Sequence, residues 1–176
     1  MASNIPMIAV IGSGKNEYPS LSVPLGRWLA ENGYSLINGG GGGVMLSTAR
    51  AFKSVKNRTG FIVGIIPSSS DYFPPEESKP HYPPPNYPNQ YTEIVIQTHL
   101  HLSGSRGKMF ASRNHIIILS AEKIVALPGG NGTQSEIELA IEYKKPLILL
   151  SQNDEWSKYK KHGLIAKTVE QATEKI

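Results

Sequence analysis

The chain of 176 residues contains no cysteine, which removes disulfides, thiolate metal sites and cysteine nucleophiles together. It also lacks any apolar run near the roughly 18 residues that a membrane-spanning helix needs. Its first residues, Met1-Ala2-Ser3-Asn4-Ile5-Pro6, carry neither a charged leader nor a long apolar stretch, so a soluble cytoplasmic protein without membrane contact is expected. Charge is sparse: 18% of residues are charged and the net charge is only +4. That balance suits small anionic ligands. The basic groups fall at Arg50-Lys53-Lys56-Arg58, at Arg106-Lys108-Arg113 and at Lys158-Lys160-Lys161. No aromatic-interleaved basic motif accompanies them, so nucleic acid is not an expected partner. A chain of this length buries roughly two-thirds of its unfolded surface and forms a single domain.

Glycine is plentiful, with 17 residues, and much of it follows short apolar runs. Residues 7–11 read as a strand that ends on Gly12-Ser13-Gly14, and 34–37 as a strand that leads through Asn38 into five glycines, 39–43. Residues 124–127 lead into Pro128-Gly129-Gly130-Asn131-Gly132-Thr133. Further apolar runs stand at 61–66, 93–97 and 147–150, and helical periodicity at 21–32, 44–55, 106–120 and 137–143. Gly33 is a suitable residue to end the first helix, and Thr168-x-x-Gln171 resembles a cap for a last helix ending at Ile176. Within 106–120, Met109, Ile116 and Leu119 are expected to face the core. The alternation predicts an α/β, Rossmann-like, doubly wound fold with a mostly parallel sheet of about six or seven strands. All three glycine turns then lie at the carboxyl edge of that sheet, where such folds bind ligands. Gly12-x-Gly14 lacks the third glycine of a dinucleotide fingerprint, so it is no signature of NAD.

The turn at 128–133 has the strand–glycine turn–helix layout that aims free N–H groups and a helix dipole at one point, where a phosphate is stable. Candidate ligand contacts are therefore Gly12, Ser13, Gly39, Gly40, Pro128, Gly129, Gly130, Asn131, Gly132 and Thr133. Glu136 stands one helical turn beyond. It reads either as half of a capping box with Thr133 or as a site carboxylate beside the bound anion, able to stabilise positive charge or align a water. His99 and His101 read either as a metal pair or as neutral, hydrogen-bonded groups near the phosphate pocket; no Asp, Glu or Cys stands beside them, and no metal is expected.

Between 67 and 90 lie eight of the 13 prolines, interleaved with Tyr72, Phe73, Tyr82 and Tyr87. Proline blocks helix and removes backbone donors, so this is an extended insertion. Its tyrosines suggest packing on the body or on a neighbouring subunit, with an SH3-type ligand as the alternative.

The run from Pro128 to Glu136 matches PGGxGTxxE, and on this motif the chain resembles the Lonely Guy (LOG), or lysine decarboxylase-like, family. Val44-Met45 after the glycines and the 61–67 strand with its closing proline are similar to that family's GGGxxGLM and VIGVIP, the first one residue shorter. The resemblance spans about 7–150 and includes a sister branch, the molybdenum cofactor carrier proteins. It implies one of two functions. One is a nucleoside 5′-monophosphate phosphoribohydrolase, which frees the base and ribose 5-phosphate and needs no cofactor. The other is a non-catalytic carrier whose ligand is the molybdenum cofactor. It further implies that Arg113, 15 residues before Pro128, and Glu136 are the catalytic pair, with Ser112 at the ligand. Asn114, where the enzymes carry lysine, resembles the carrier branch, as does Lys144-Lys145-Pro146. A homo-oligomer, dimer or tetramer, with the arginine helix near the contact, is implied as well.

Overall fold

The computed structural model describes residues 5–69 and 82–176. Its strands are β1 (Met7–Ile11), β2 (Ser35–Asn38), β3 (Ile62–Ile66), β4 (Ile94–Gln97), β5 (Lys123–Ala126), β6 (Leu147–Leu150) and β7 (Leu164–Ala166). They form one seven-stranded sheet in the order β4-β3-β2-β1-β5-β6-β7, and each neighbouring pair is parallel. The helices are α1 (Pro19–Glu31), α2 (Val44–Lys53), α3 (Asn114–Ser120), α4 (Asn131–Glu142) and α5 (Val169–Thr173). This is the expected doubly wound α/β fold.

Successive strand side chains point to opposite faces, and here each face has its own core. Ile8 and Val10 of β1 pack with Leu25, Phe52 and Ala172 under α1, α2 and α5. Ala9 and Ile11 pack with Ile117, Ile137 and Leu139 under α3 and α4. Strands buried on both faces must be continuously apolar, which is why β1, β3, β5 and β6 are visible in the sequence as short hydrophobic runs. β7 escapes that reading because it is three residues long and both Leu164 and Ile165 are exposed.

The expected helix 106–120 is not observed as one element. Only 114–120 is α-helical, preceded by a short 3-10 turn at 104–106. Gly104 has φ +59°, and at Gly107 a Cβ would lie 2.6 Å from Asn114 Nδ2 and 2.9 Å from Ser135 Cβ. The chain is therefore folded tightly against α4, and Ser135 Oγ donates to Gly104 O at 2.7 Å. As a result Met109 and Leu119 are about half exposed, and Ile117 and Ile118 fill the core in their place.

From β1 the chain winds outward through β2, β3 and β4, then crosses back to lay β5, β6 and β7 on the other side. The loops that follow β1 and β5 thus diverge from adjacent strands. A crevice opens between such loops at the carboxyl edge.

Candidate ligand-binding cleft

Ser13 joins the three glycine turns. Its N–H donates to Pro128 O at 3.0 Å, and its carbonyl accepts from Val44 N at 2.8 Å, at the end of the 39–43 run. Its Oγ accepts from the amides of Lys15 and Asn16. Where the turns meet lies a cleft of about 620 Å³. Of the residues the sequence singles out, Gly12, Ser13, Gly39, Arg113, Gly130, Gly132, Thr133 and Glu136 line it. The other five do not line it. Gly40 faces Ile66 and Thr92, Ser112 is fully buried with its Oγ accepting from Asn114 N, and Pro128 contributes its carbonyl to Ser13. Gly129 is pressed so close that a Cβ would lie 2.1 Å from Thr133 Oγ1 and 2.9 Å from Ser13 N. Asn131 is exposed on the first turn of α4.

α4 begins at Asn131 with Gly130 as its N-cap, and no side chain caps it. The capping-box reading of Thr133 and Glu136 is therefore wrong: Thr133 is already inside the first turn, and its hydroxyl packs against Gly129. Gln134 N is the first amide to find a helical acceptor, Gly130 O at 2.9 Å. The amides of Asn131, Gly132 and Thr133 have no acceptor among the described residues. A 12-residue helix thus presents its positive end at a wall of the cleft, and of the three free amides those of Gly132 and Thr133 belong to residues that line it, an arrangement suited to binding an anion.

Arg113 is buried, at 8% exposure. A surface ion pair with Glu136 or Glu138 is therefore not its role. Its Nη1 donates to Gly39 O at 2.6 Å and to Ile65 O at 2.8 Å, and its guanidinium lies 5.0 Å from the centroid of the Tyr87 ring. Gly39 lacks a side chain for good reason, since a Cβ there would stand 2.5 Å from Arg113 Nη2. Glu138 instead accepts from Gln134 Nε2 and Tyr159 Oη. Glu136 faces Arg113 across the cleft without an ion pair. Burial pushes its carboxyl up to about 7, against the opposing pull of the Arg113 charge.

Lys15, Met45, Tyr87, Ser103, Gly104 and Asn114 also line the cleft. Tyr87 had a signal in the tyrosine-bearing proline-rich stretch, and the 82–90 part of that stretch does pack on the body: Asn89 N donates to Gly40 O at 2.7 Å and Asn89 Nδ2 to Gly41 O at 2.9 Å. Tyr72 and Phe73 lie outside the described residues. Lys15 had only its place after a glycine turn, and Ser103 and Gly104 gave no signal. His99 and His101 do not line the cleft. Among the described residues no group of three or more His, Asp or Glu is placed to hold a metal.

The chain is 33% identical to an uncharacterized protein of Archaeoglobus fulgidus, over 81% of this chain and 78% of that one. Its fold is similar to that of the molybdenum cofactor binding protein from Rippkaea orientalis, with a TM-score of 0.73 at 26% identity, covering 98% of this chain and 96% of that chain. It is equally similar to the molybdenum cofactor carrier protein of Chlamydomonas reinhardtii, with a TM-score of 0.72 at 25% identity, covering 97% and 95%. The model of the SLOG cluster4 family matches residues 5–175, and the chain belongs to that family.

Proposed function

We propose that the cleft holds a phosphate-bearing heterocycle and that this chain is a carrier of the molybdenum cofactor, sheltering it without turnover. The observation that carries this reading is the set of three free amides at the start of α4, two of them on the lining residues Gly132 and Thr133 of a cleft of about 620 Å³. That volume lies in the range of small-molecule sites. The amides would take the phosphate, Ser13 and Thr133 the neighbouring polar atoms, and Tyr87 and Met45 the ring. Arg113 favours holding over hydrolysis, because its Nη1 is spent on the carbonyls of Gly39 and Ile65. The likeness to two molybdenum cofactor proteins over nearly their whole length supports the same side.

One observation favours the second reading, a nucleoside 5′-monophosphate phosphoribohydrolase. A carboxyl titrating at about 7 in a cleft is suited to proton transfer near neutrality. Loss of a base from ribose develops positive charge at the anomeric carbon, and the ionised Glu136 could stabilise it or align water. The test is direct. Protein purified from cells that make the cofactor is assayed for molybdenum and pterin fluorescence, and the same preparation is incubated with a panel of nucleoside 5′-monophosphates. Copurifying molybdenum without base release is expected. Base release that falls on the order of 10²–10⁴-fold in Glu136→Gln would establish the enzyme instead, and an absence of both would remove both readings.

A further inference from the structure

A second groove lies at the opposite edge of the sheet, where β5, β6 and β7 begin. Its volume is about 630 Å³. Lys123, Lys144, Lys145, Lys160, Lys161 and Lys175 line it together with His162, and no carboxylate or Phe, Tyr or Trp ring does. This places one-third of the chain's 18 basic residues around a single concavity. Two of the lysines have structural duties. Lys123 Nζ donates to the Lys175 carbonyl and to the terminal oxygen of Ile176, and Lys145 Nζ to the carbonyls of Leu119 and Ala121. Lys144, Lys160, Lys161 and Lys175 have no carboxylate partner among the described residues.

Lys144 is the independent clue. α4 ends in a Schellman motif: Lys144 N donates to Ile141 O and Lys145 N to Ala140 O. The residue between the cap and the exit must be left-handed, and Lys144 has φ +52°. α1 ends in the same way with Gly33 at φ +79°, the residue that takes this conformation without strain. At α4 the position carries a lysine despite that cost, and its side chain lines the groove. Strain kept at a charged residue points to a use for the charge. The turn that brings Lys160 and Lys161 is held close as well, since a Cβ on Gly163 would lie 3.0 Å from Leu147 O.

We propose that this groove is a second anion site, for a condensed phosphate chain such as inorganic polyphosphate or the triphosphate end of a nucleotide. Several cations around one concavity match several linked charges, and the groove offers no Phe, Tyr or Trp ring on which a nucleic-acid base could stack. The test uses the full chain carrying Gly130→Asp, which occupies the cleft amides, so that only the groove is read. Calorimetry with sodium tripolyphosphate should give one salt-sensitive site, weakened about tenfold by Lys160→Ala with Lys161→Ala. Lys144→Gly should weaken binding several-fold while raising the melting temperature by about 2–4 °C, as relief of strain of about 1 kcal/mol would. ATP binding as tightly as tripolyphosphate would assign the nucleotide source, and tripolyphosphate alone the inorganic one. Tripolyphosphate binding that survives all three lysine changes, a lower melting temperature in Lys144→Gly, or preference for a thymidine oligonucleotide would each overturn the proposal.

Discussion

Gly130 shows how one residue can separate binding from folding. Its φ of −103° and ψ of −153° are open to any L residue, and a Cβ there would meet nothing within 4 Å. Gly130→Asp is therefore expected to fold. At the N-cap its carboxylate would accept from the amides of Gly132 or Thr133, a favourable arrangement, and would occupy the donors that a ligand phosphate needs. The expected result is a melting temperature equal to or above that of the wild type, with no calorimetric signal for phosphate-bearing ligands. Retained affinity in this folded variant would move the phosphate site away from α4. Gly129→Ala is the contrast. Its methyl would collide with Thr133 Oγ1 at 2.1 Å, and overpacking of this kind typically costs about 1–3 kcal/mol. Arg113 belongs at the same scale. Arg113→Ala leaves the carbonyls of Gly39 and Ile65 without their buried donor, so a loss of about 2–4 kcal/mol is expected in urea unfolding. If stability is unchanged and only ligand binding collapses, the side chain serves the ligand and not the cleft wall.

At the scale of elements, the part of the site that could be read from sequence is the part carried by local signals. The strand, glycine turn and helix at 124–142 announce themselves through apolar period and turn chemistry, although the helix begins at Asn131, six residues before its apolar stripe. Glycine weakens helix propensity, yet here the glycine turn is itself the first helical turn. Gly12 and Gly39 were legible for the same reason. Arg113 was legible as a site residue through a resemblance of spacing, but its partners were not, because the Gly39 and Ile65 carbonyls are 74 and 48 residues away in sequence. The 106–120 segment misled because its periodicity is real but its backbone is dictated by contact with α4, which brings Gly104 and Gly107 against Ser135. Asn89 is another long-range feature: only the folded chain places it on the carbonyls of Gly40 and Gly41. Through it, the proline-rich segment holds one wall of the cleft.

At the scale of the whole molecule, large apolar side chains remain exposed beside α3: Phe110 at 98%, Met109 at 54% and Leu119 at 52%. We propose that a second copy of the chain covers this face, as a homo-oligomer would. Phe110→Asp should then shift the species seen by light scattering to the monomer while leaving the circular dichroism spectrum intact. An unchanged assembly would place the contact elsewhere, for instance on the exposed β4 edge at Ile94, Val95 and Ile96.

Glu136 couples the cleft to the stability of the entire fold. Its carboxyl titrates at about 7 in the folded chain, against 4.5 for the ordinary group, and the cause is burial, partly opposed by Arg113. Between those two values the folded state holds a proton that the unfolded state has released. Stability must therefore fall as pH rises from about 4.5 to 7 and level off above, since both states are then ionised. The size of the fall is on the order of 1–3 kcal/mol, the larger figure being reduced because the residue retains some contact with solvent. Glu136→Gln, which cannot ionise, should remove this slope and be the more stable chain at pH 7.5. Urea unfolding of both proteins at pH 5, 6 and 7.5 measures it. Parallel curves for the two would mean that Glu136 is ionised throughout, as a carboxylate in water would be. A ligand phosphate arriving at α4 adds negative charge to the same cleft, so its binding should draw protons onto Glu136 and strengthen as pH falls through 7. The same titration series, repeated with ligand present, would reveal that linkage as a ligand-induced stabilisation larger at pH 6 than at pH 7.5, and its absence would separate Glu136 from the bound anion.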